Sequence, residues 1–401
     1  MRYVVAWICG AVVIVGLLAL GQGVKHHVGT QASDEIREFL TDLDARDSKE
    51  IQDIQNQDKK EHINALRAMY LKEPQFWERA WVDDDVEYRE IGALPQMPPY
   101  PESNPYTPAK AKLGEKLFYD PILSLSQQIA CATCHDSELG FSNARSVSFG
   151  HNRALGNRNA PSVVMSAFGK EKFWDGRAQD LESQSLMPIE NPIEMADSLQ
   201  NVIAKLKASN QYEKAFSEAF GGSSAQDSIT PKHLAQALAT YERSLMPKNS
   251  RFDRFMRGDS RVLRDDEVLG LHIFRTKGRC MNCHNGVEFS DHKYHNLGLT
   301  YYGREKYEDF GRYNVSKNAS DMGAFKTPTL REVCKSAPYF HNGLFPTLRG
   351  VLNAYNFGMF SPKPTDSQKN DPLFPQTSPL LKELNLTREE IDALEAFLKT
   401  L

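Results

Sequence analysis

Cys131-Ala-Thr-Cys-His135 and, 149 residues further on, Cys280-Met-Asn-Cys-His284 use four of the chain's six cysteines. Two residues between the thiols, with a histidine straight after the second, is the spacing of c-type haem attachment. Both sulfurs can add to the vinyl groups of one porphyrin, and the histidine then lies beneath the ring and ligates its iron. Two other readings compete. A zinc site could use four cysteines, but neither motif shows a partner pair at finger-like spacing. A redox dithiol belongs in a βαβ context, and none is legible here. Two matches in one chain therefore imply two covalently bound haem c groups.

The flanks of the two motifs resemble each other. Leu113-Gly-Glu-Lys-Leu-Phe118 precedes the first, and Leu269-Gly-Leu-His-Ile-Phe274 precedes the second. Phe141-Ser142 and Phe289-Ser290 follow them. Each unit closes on an amphipathic helix. Thr230-Pro231 supplies an N-cap and a first-turn proline ahead of Leu234, Leu238, Tyr241 and Leu245. Thr387-x-x-Glu390 is a capping box ahead of Ile391, Leu394, Leu398 and Leu401. Strand signals are few, and long loops between helices suit a core filled by a prosthetic group. The expectation is an all-α protein with two similar domains, residues 96–250 and 251–401.

The N-terminal quarter reads differently. Tyr3 to Leu20 is eighteen residues without a charge, preceded by Arg2. This is close to the length of a bilayer span, so residues 1–24 are expected to be a signal anchor or a cleaved signal peptide. Either way the body is exported, to the periplasmic side of a bacterial inner membrane. Between Ala32 and His62 there are ten acidic and five basic residues, against a net charge of −4 for the whole chain. The acidity belongs to this segment. The near-neutral remainder lacks the basic excess of a nucleic-acid binder. Residues 25–95 are expected to form a helical stalk or extension, with Trp77 and Trp81 packing one helix face onto the body. Six prolines between Leu94 and Pro108 then act as a stiff linker. Cys9 and Cys334 stand alone, so no disulfide framework is read.

From about Thr107 to the C-terminus the sequence resembles the bacterial di-haem cytochrome c peroxidases and their MauG-type relatives. The likeness rests on both haem motifs and on Phe173-Trp-Asp-Gly-Arg-Ala178, Asn191-Pro-Ile-Glu-Met195, Phe252-x-x-Phe-x-Arg-Gly-Asp259 and Ala337-Pro-Tyr-Phe-His-Asn-Gly343. It implies two cytochrome c-like domains, a peroxidatic haem in the first and an electron-accepting haem in the second. His135 and His284 then ligate the two irons. His151 matches a displaceable distal ligand of the first haem, although an ordinary loop histidine is the plainer reading. Trp174 matches a tryptophan between the haems that assists electron flow; by itself it reads as a core anchor at a turn.

Glu194 matches the distal carboxylate, with Gln184 as a second polar residue of that pocket and Glu190 as a local competitor. The chemistry asks for such a group. Breaking the O–O bond of hydrogen peroxide requires a proton to move from one oxygen to the other, and a carboxyl group in reach can make both transfers. The resemblance also implies calcium, held by the Asn159 side chain and by backbone carbonyls of Ser336 and Pro338. At the second haem, ordinary members carry a distal methionine at the position occupied here by Tyr355. The tyrosine resembles the MauG arrangement, and Met359 is the alternative ligand. A phenolate favours ferric iron, and a thioether the reverse.

Three functions follow. One is a peroxidase reducing hydrogen peroxide to water with electrons from a cytochrome c or quinol-linked donor. Another is a MauG-like enzyme that uses peroxide to oxidise side chains of a partner protein. The third is an electron-transfer cytochrome without catalysis, against which Glu194 and Gln184 argue. The family's frequent dimers make a homodimer a further expectation.

Overall fold

The computed structural model describes residues 31–221 and 225–401, so the apolar run expected to enter the membrane lies outside the described residues. Among those described, no helix is long and apolar enough to cross a membrane. The chain separates into two compact units, Met1–His62 and Ile63–Leu401. Helix α1 (Gln31–Tyr70) supplies the described part of the first unit, and its residues 52–62 are all exposed.

The second unit contains the repeat. Its first half runs through α2 (Pro108–Tyr119), the single turn α3 (Cys131–Cys134), α4 (Leu181–Glu190) and α5 (Pro231–Ser244). The second half runs through α6 (Asp265–Arg275), a 3-10 turn at Cys280–Asn282, α7 (Leu348–Asn356) and α8 (Arg388–Leu398). The start signals behave as their chemistry requires. Thr107 and Thr230 accept from Lys110 N at 3.2 Å and His233 N at 3.1 Å, each with a proline next in line. In the capping box, Glu390 N reaches Thr387 Oγ1 at 3.2 Å and Thr387 N reaches Glu390 Oε2 at 2.8 Å.

Opening and closing helices cross at a glycine in both halves. A Cβ on Gly114 would fall inside the van der Waals envelope of the Ala237 carbonyl, and one on Gly270 inside that of Ala393. The Leu-Gly pair of the sequence repeat is thus a packing requirement. One apolar core gathers Leu113, Leu117 and Phe118 with Leu234, Leu238 and Tyr241. A second gathers Phe252, Phe274, Phe289 and Phe397, with Phe289 centred 5.4 Å from Phe252 and 5.5 Å from Phe274. Burying each such ring stabilises the fold by about 1.5–3 kcal/mol.

From Ile63 onward the extension packs into the second unit rather than forming a stalk. Ile63, Leu66, Tyr70, Trp77, Ala80, Ile91 and Leu94 are buried, all but Leu94 in the second core. Helix α1 ends at Tyr70, and only the short 3-10 turn Pro74–Phe76 follows before α2. Trp77 and Trp81 therefore share no helix face. Trp77 packs edge-on against Tyr70, 5.2 Å between centroids, whereas Trp81 is 51% exposed. The reason is polar as well as apolar: buried Arg275 pairs with Glu90 at 2.6 Å and stacks over Trp77 at 4.9 Å.

Two features were not foreseen. A two-stranded antiparallel sheet joins β1 (Tyr294–Asn296) to β2 (Ala324–Lys326), with Tyr294 opposite Lys326. A pair of tight loops also repeats. Lys172 bridges Ala178 in one and Tyr339 bridges Phe345 in the other. Phe173 and Phe340 have φ of 69° and 66°, and Gly176 and Gly343 have 71° and 58°. Trp174 and His341 hold equivalent places in the two halves.

Candidate haem site

Turn α3 carries Cys131 and Cys134 on one helical turn and hands the chain to His135, whose N–H donates to Cys131 O at 3.0 Å. The His135 Nδ1–H donates to the carbonyl of Phe141 at 3.1 Å, and His284 Nδ1–H to that of Phe289 at 3.0 Å. Both phenylalanines take φ of 55° to aim that carbonyl. A bond of this kind fixes the tautomer and leaves Nε2 with its lone pair free for iron. Burial lowers the pKa of both imidazoles, which keeps them neutral as ligands must be. The serines that follow anchor the loops, Ser142 Oγ to Ala160 O at 2.8 Å and Ser290 Oγ to Thr327 O at 2.7 Å. All four motif cysteines are unpaired. Cys283, Asp291 and His295 bring ligand atoms within 4.8 Å of one another, but Asp291 is already paired with His295 at 2.8 Å.

Around the first motif lies a cavity of 1220 Å³. This exceeds the roughly 300–1,000 Å³ of ordinary small-molecule pockets. Its walls bring together Cys131, Cys134 and His135 with Trp174, Gln184 and Glu194. Glu194 sits in the turn after α4, where its Oε1 accepts from Asn191 Nδ2 at 2.8 Å. Burial raises its pKa, against the opposing pull of Arg177 and Asn191. Gln184 projects from α4 with a buried Oε1 that meets no partner among the described residues. Glu190 is exposed and does not border the cavity, whereas Glu194 does. Trp174 donates its indole N–H to Asn159 O at 2.9 Å, and its carbonyl accepts from Lys326 N at 2.8 Å.

His151 occupies a short turn whose N–H donates to Glu194 O at 2.7 Å. Gly150, and not His151, borders the cavity, and His151 Nδ1 is buried without a partner among the described residues. Asn159, Ser336 and Pro338 all line the same cavity. The Asn159 amide donates to Arg145 O at 2.9 Å, which turns its nitrogen to the backbone and leaves Oδ1 without a donor among the described residues. At the second motif, Tyr355 on α7 makes no hydrogen bond among the described residues. Burial raises its pKa, and the Cys283 and Cys280 sulfurs are close enough to add to the effect. Met359 lies past the end of α7, buried, with φ of 61°.

The residues present therefore fit two covalent haems. Each motif has unpaired thiols and an oriented imidazole. The first also has a large cavity with an amide oxygen unpartnered among the described residues, and the second a half-buried phenol with no hydrogen bond among them. Sequence reasoning passed over His341, Asn342, Glu242 and Lys172, which also line the cavity. His341 and Asn342 stood in a string that carried the resemblance; Glu242 and Lys172 gave no local signal.

Comparison with known proteins agrees with this chemistry. Residues 108–261 match the family described as di-haem cytochrome c peroxidase. The methylamine utilization protein MauG of Methylorubrum extorquens is 35% identical over 79% of this chain and 86% of its own length. The cytochrome c551 peroxidase of Nitrosomonas europaea is 35% identical over 73% of this chain and 79% of its own. Among solved structures, a MauG-like protein associated with microbial copper homeostasis superposes with a TM-score of 0.68 at 30% identity, covering 80% of this chain and 95% of the other. A chain with this fold, two haem-attachment sites and relatives on both sides of the group belongs to the di-haem cytochrome c peroxidase and MauG family of oxidoreductases.

Proposed function

We propose that the protein reduces hydrogen peroxide to water, H2O2 + 2 e⁻ + 2 H⁺ → 2 H2O, with electrons from a cytochrome c or quinol-linked donor. The observation that carries this reading is the meeting of Glu194 and Gln184 with Cys131, Cys134 and His135 in one cavity. An electron carrier has no use for a polar pocket there. Haem held at the two motifs would supply the redox chemistry, the first at peroxide and the second as electron entry. Around it the chain's own groups act on protons and position. Glu194, its pKa raised by burial, takes a proton from one peroxide oxygen and delivers it to the other. The Asn191 amide holds that carboxyl in place, and the Gln184 oxygen accepts a hydrogen bond from the substrate. Trp174 lies between the halves, bonded to Asn159 on one side and to β2 on the other, as a relay requires.

Tyr355 is assigned as the second ligand of the C-terminal haem iron in preference to Met359, because its phenol is half-buried near Cys280 and Cys283 with no hydrogen-bond partner among the described residues. Calcium is assigned to Asn159 Oδ1 with the Ser336 and Pro338 carbonyls, a hard-oxygen set. The apolar run at Tyr3–Leu20 supports an exported enzyme, tethered to the membrane or released from it. Tyr355 also favours a second reading, since the MauG relatives are as similar as the peroxidases. In that reading peroxide oxidises side chains of a partner protein.

The decisive experiment is peroxide consumption by purified holo-protein with a reduced cytochrome or quinol donor. Glu194→Gln is expected to lower turnover by about 10²–10⁴-fold with the haem spectrum intact. Holo-protein that ignores peroxide in every redox state would overturn both readings.

A further inference from the structure

Two adjacent side chains in the second tight loop point unpartnered nitrogen into the cavity of the first motif. His341 is 3% exposed and Asn342 is 6% exposed, and both line that cavity. His341 Nε2 and Asn342 Nδ2 are buried with no hydrogen-bond partner among the described residues. Neither orientation is loose. The His341 ring lies flat on Phe325, 3.5 Å between centroids at 10°, and its carbonyl accepts from Asn159 N at 2.7 Å. Asn342 Oδ1 accepts from Leu344 N at 3.2 Å, which settles the amide flip and leaves its NH2 facing away from the backbone.

These nitrogens define the ligand chemistry. An amide NH2 only donates, so the Asn342 side of the site asks for an acceptor. Arg158, which lies over the same Phe325 ring, is held by Asp175 and Asp309, each at 2.6 Å. Trp174, at the equivalent place in the first half, spends its N–H on Asn159 O, whereas His341 Nε2 meets no partner among the described residues. Each haem c brings two carboxylate side chains, and a buried carboxylate needs donors.

We propose that His341 and Asn342 bind a propionate carboxylate of the haem attached at Cys131 and Cys134, each donating one N–H to it. The second half of the chain thereby grips the cofactor of the first. The inference rests on the haem reading above, and the experiment separates the two. Holo-protein matured in a competent host is first weighed by mass spectrometry. A wild-type chain without added haem mass overturns the haem reading and this inference with it.

With haem present, His341→Leu and Asn342→Leu are compared with His341→Gln by resonance Raman spectroscopy and by redox titration of each haem. Loss of either donor is expected to shift the propionate bending bands and to lower the midpoint potential of the first haem alone, because a carboxylate without donors favours ferric iron. Glutamine at 341, which can still present an N–H, is expected to restore both. Unchanged bands and potential in the leucine variants, or equal shifts at both haems, overturn the proposal. Should His341→Leu fail to accumulate, Asn342→Leu is read by the same two measurements, with the same outcomes for and against.

Discussion

Glu242 on α5 has one carboxylate oxygen shut off from solvent and from every partner among the described residues. Burial pushes its pKa from 4.5 up to about 7, against Lys172 and Arg243 and with help from Glu182. The folded chain then holds a proton that the unfolded chain has lost. Stability from this group is full below about pH 4.5, falls as pH rises to about 7, and stays level above that. Lys172, lowered by burial from 10.5 to about 7, acts in the next window, where its contribution rises with pH. Thermal unfolding is expected to show the first decline, and Glu242→Gln to flatten it, recovering up to about 3 kcal/mol at neutral pH. Tyr355→Phe tests the second haem's ligand. If the hydroxyl ligates that iron, the spectrum of one haem alone is expected to change. An unaltered low-spin signal would transfer the assignment to Met359.

At the scale of elements, two crossings decide how closely the helices approach. Gly114→Ala drives a methyl into the α5 backbone at Ala237, and Gly270→Ala does the same to α8 at Ala393. Neither obstacle is a flexible side chain, so the helices must separate. Each substitution is expected to cost about 1–3 kcal/mol or more, read as a lowered unfolding midpoint. The first should disturb the core around Phe118 and the second the core around Phe397. The two caps at Thr230 and Thr387 were legible because capping needs only a few consecutive residues. The strands β1 and β2 were not, since three residues carry too little alternation to register.

Across the whole molecule, the two cores are completed unequally. The first is built from residues within its own half, whereas the second borrows Tyr70, Trp77, Ala80 and Ile91 from the extension. The same segment is tied down by ionic contacts, with Arg67 bonded to Asp265 at 2.7 Å and Arg275 to Glu90. A chain beginning at Ile63 is therefore expected to unfold like the full-length protein in circular dichroism and limited proteolysis. One beginning at Pro95 is expected to lose several kcal/mol, as the apolar area those side chains cover returns to water. Equal stability of the two would show that the extension contributes no packing.

Local covalent spacing determined the two haem-attachment sites, since Cys-x-x-Cys-His needs no tertiary partner to be recognised. Short-range hydrogen bonding likewise determined the capped helices. What only the tertiary structure decided involves groups far apart in the chain. It put Glu194 and not Glu190 on the cavity wall, moved half of the extension into the second core, and set His341 and Asn342 against the cavity of Cys131. Burial and unmet hydrogen-bonding capacity arise when distant segments exclude water together, and no single stretch of residues carries them.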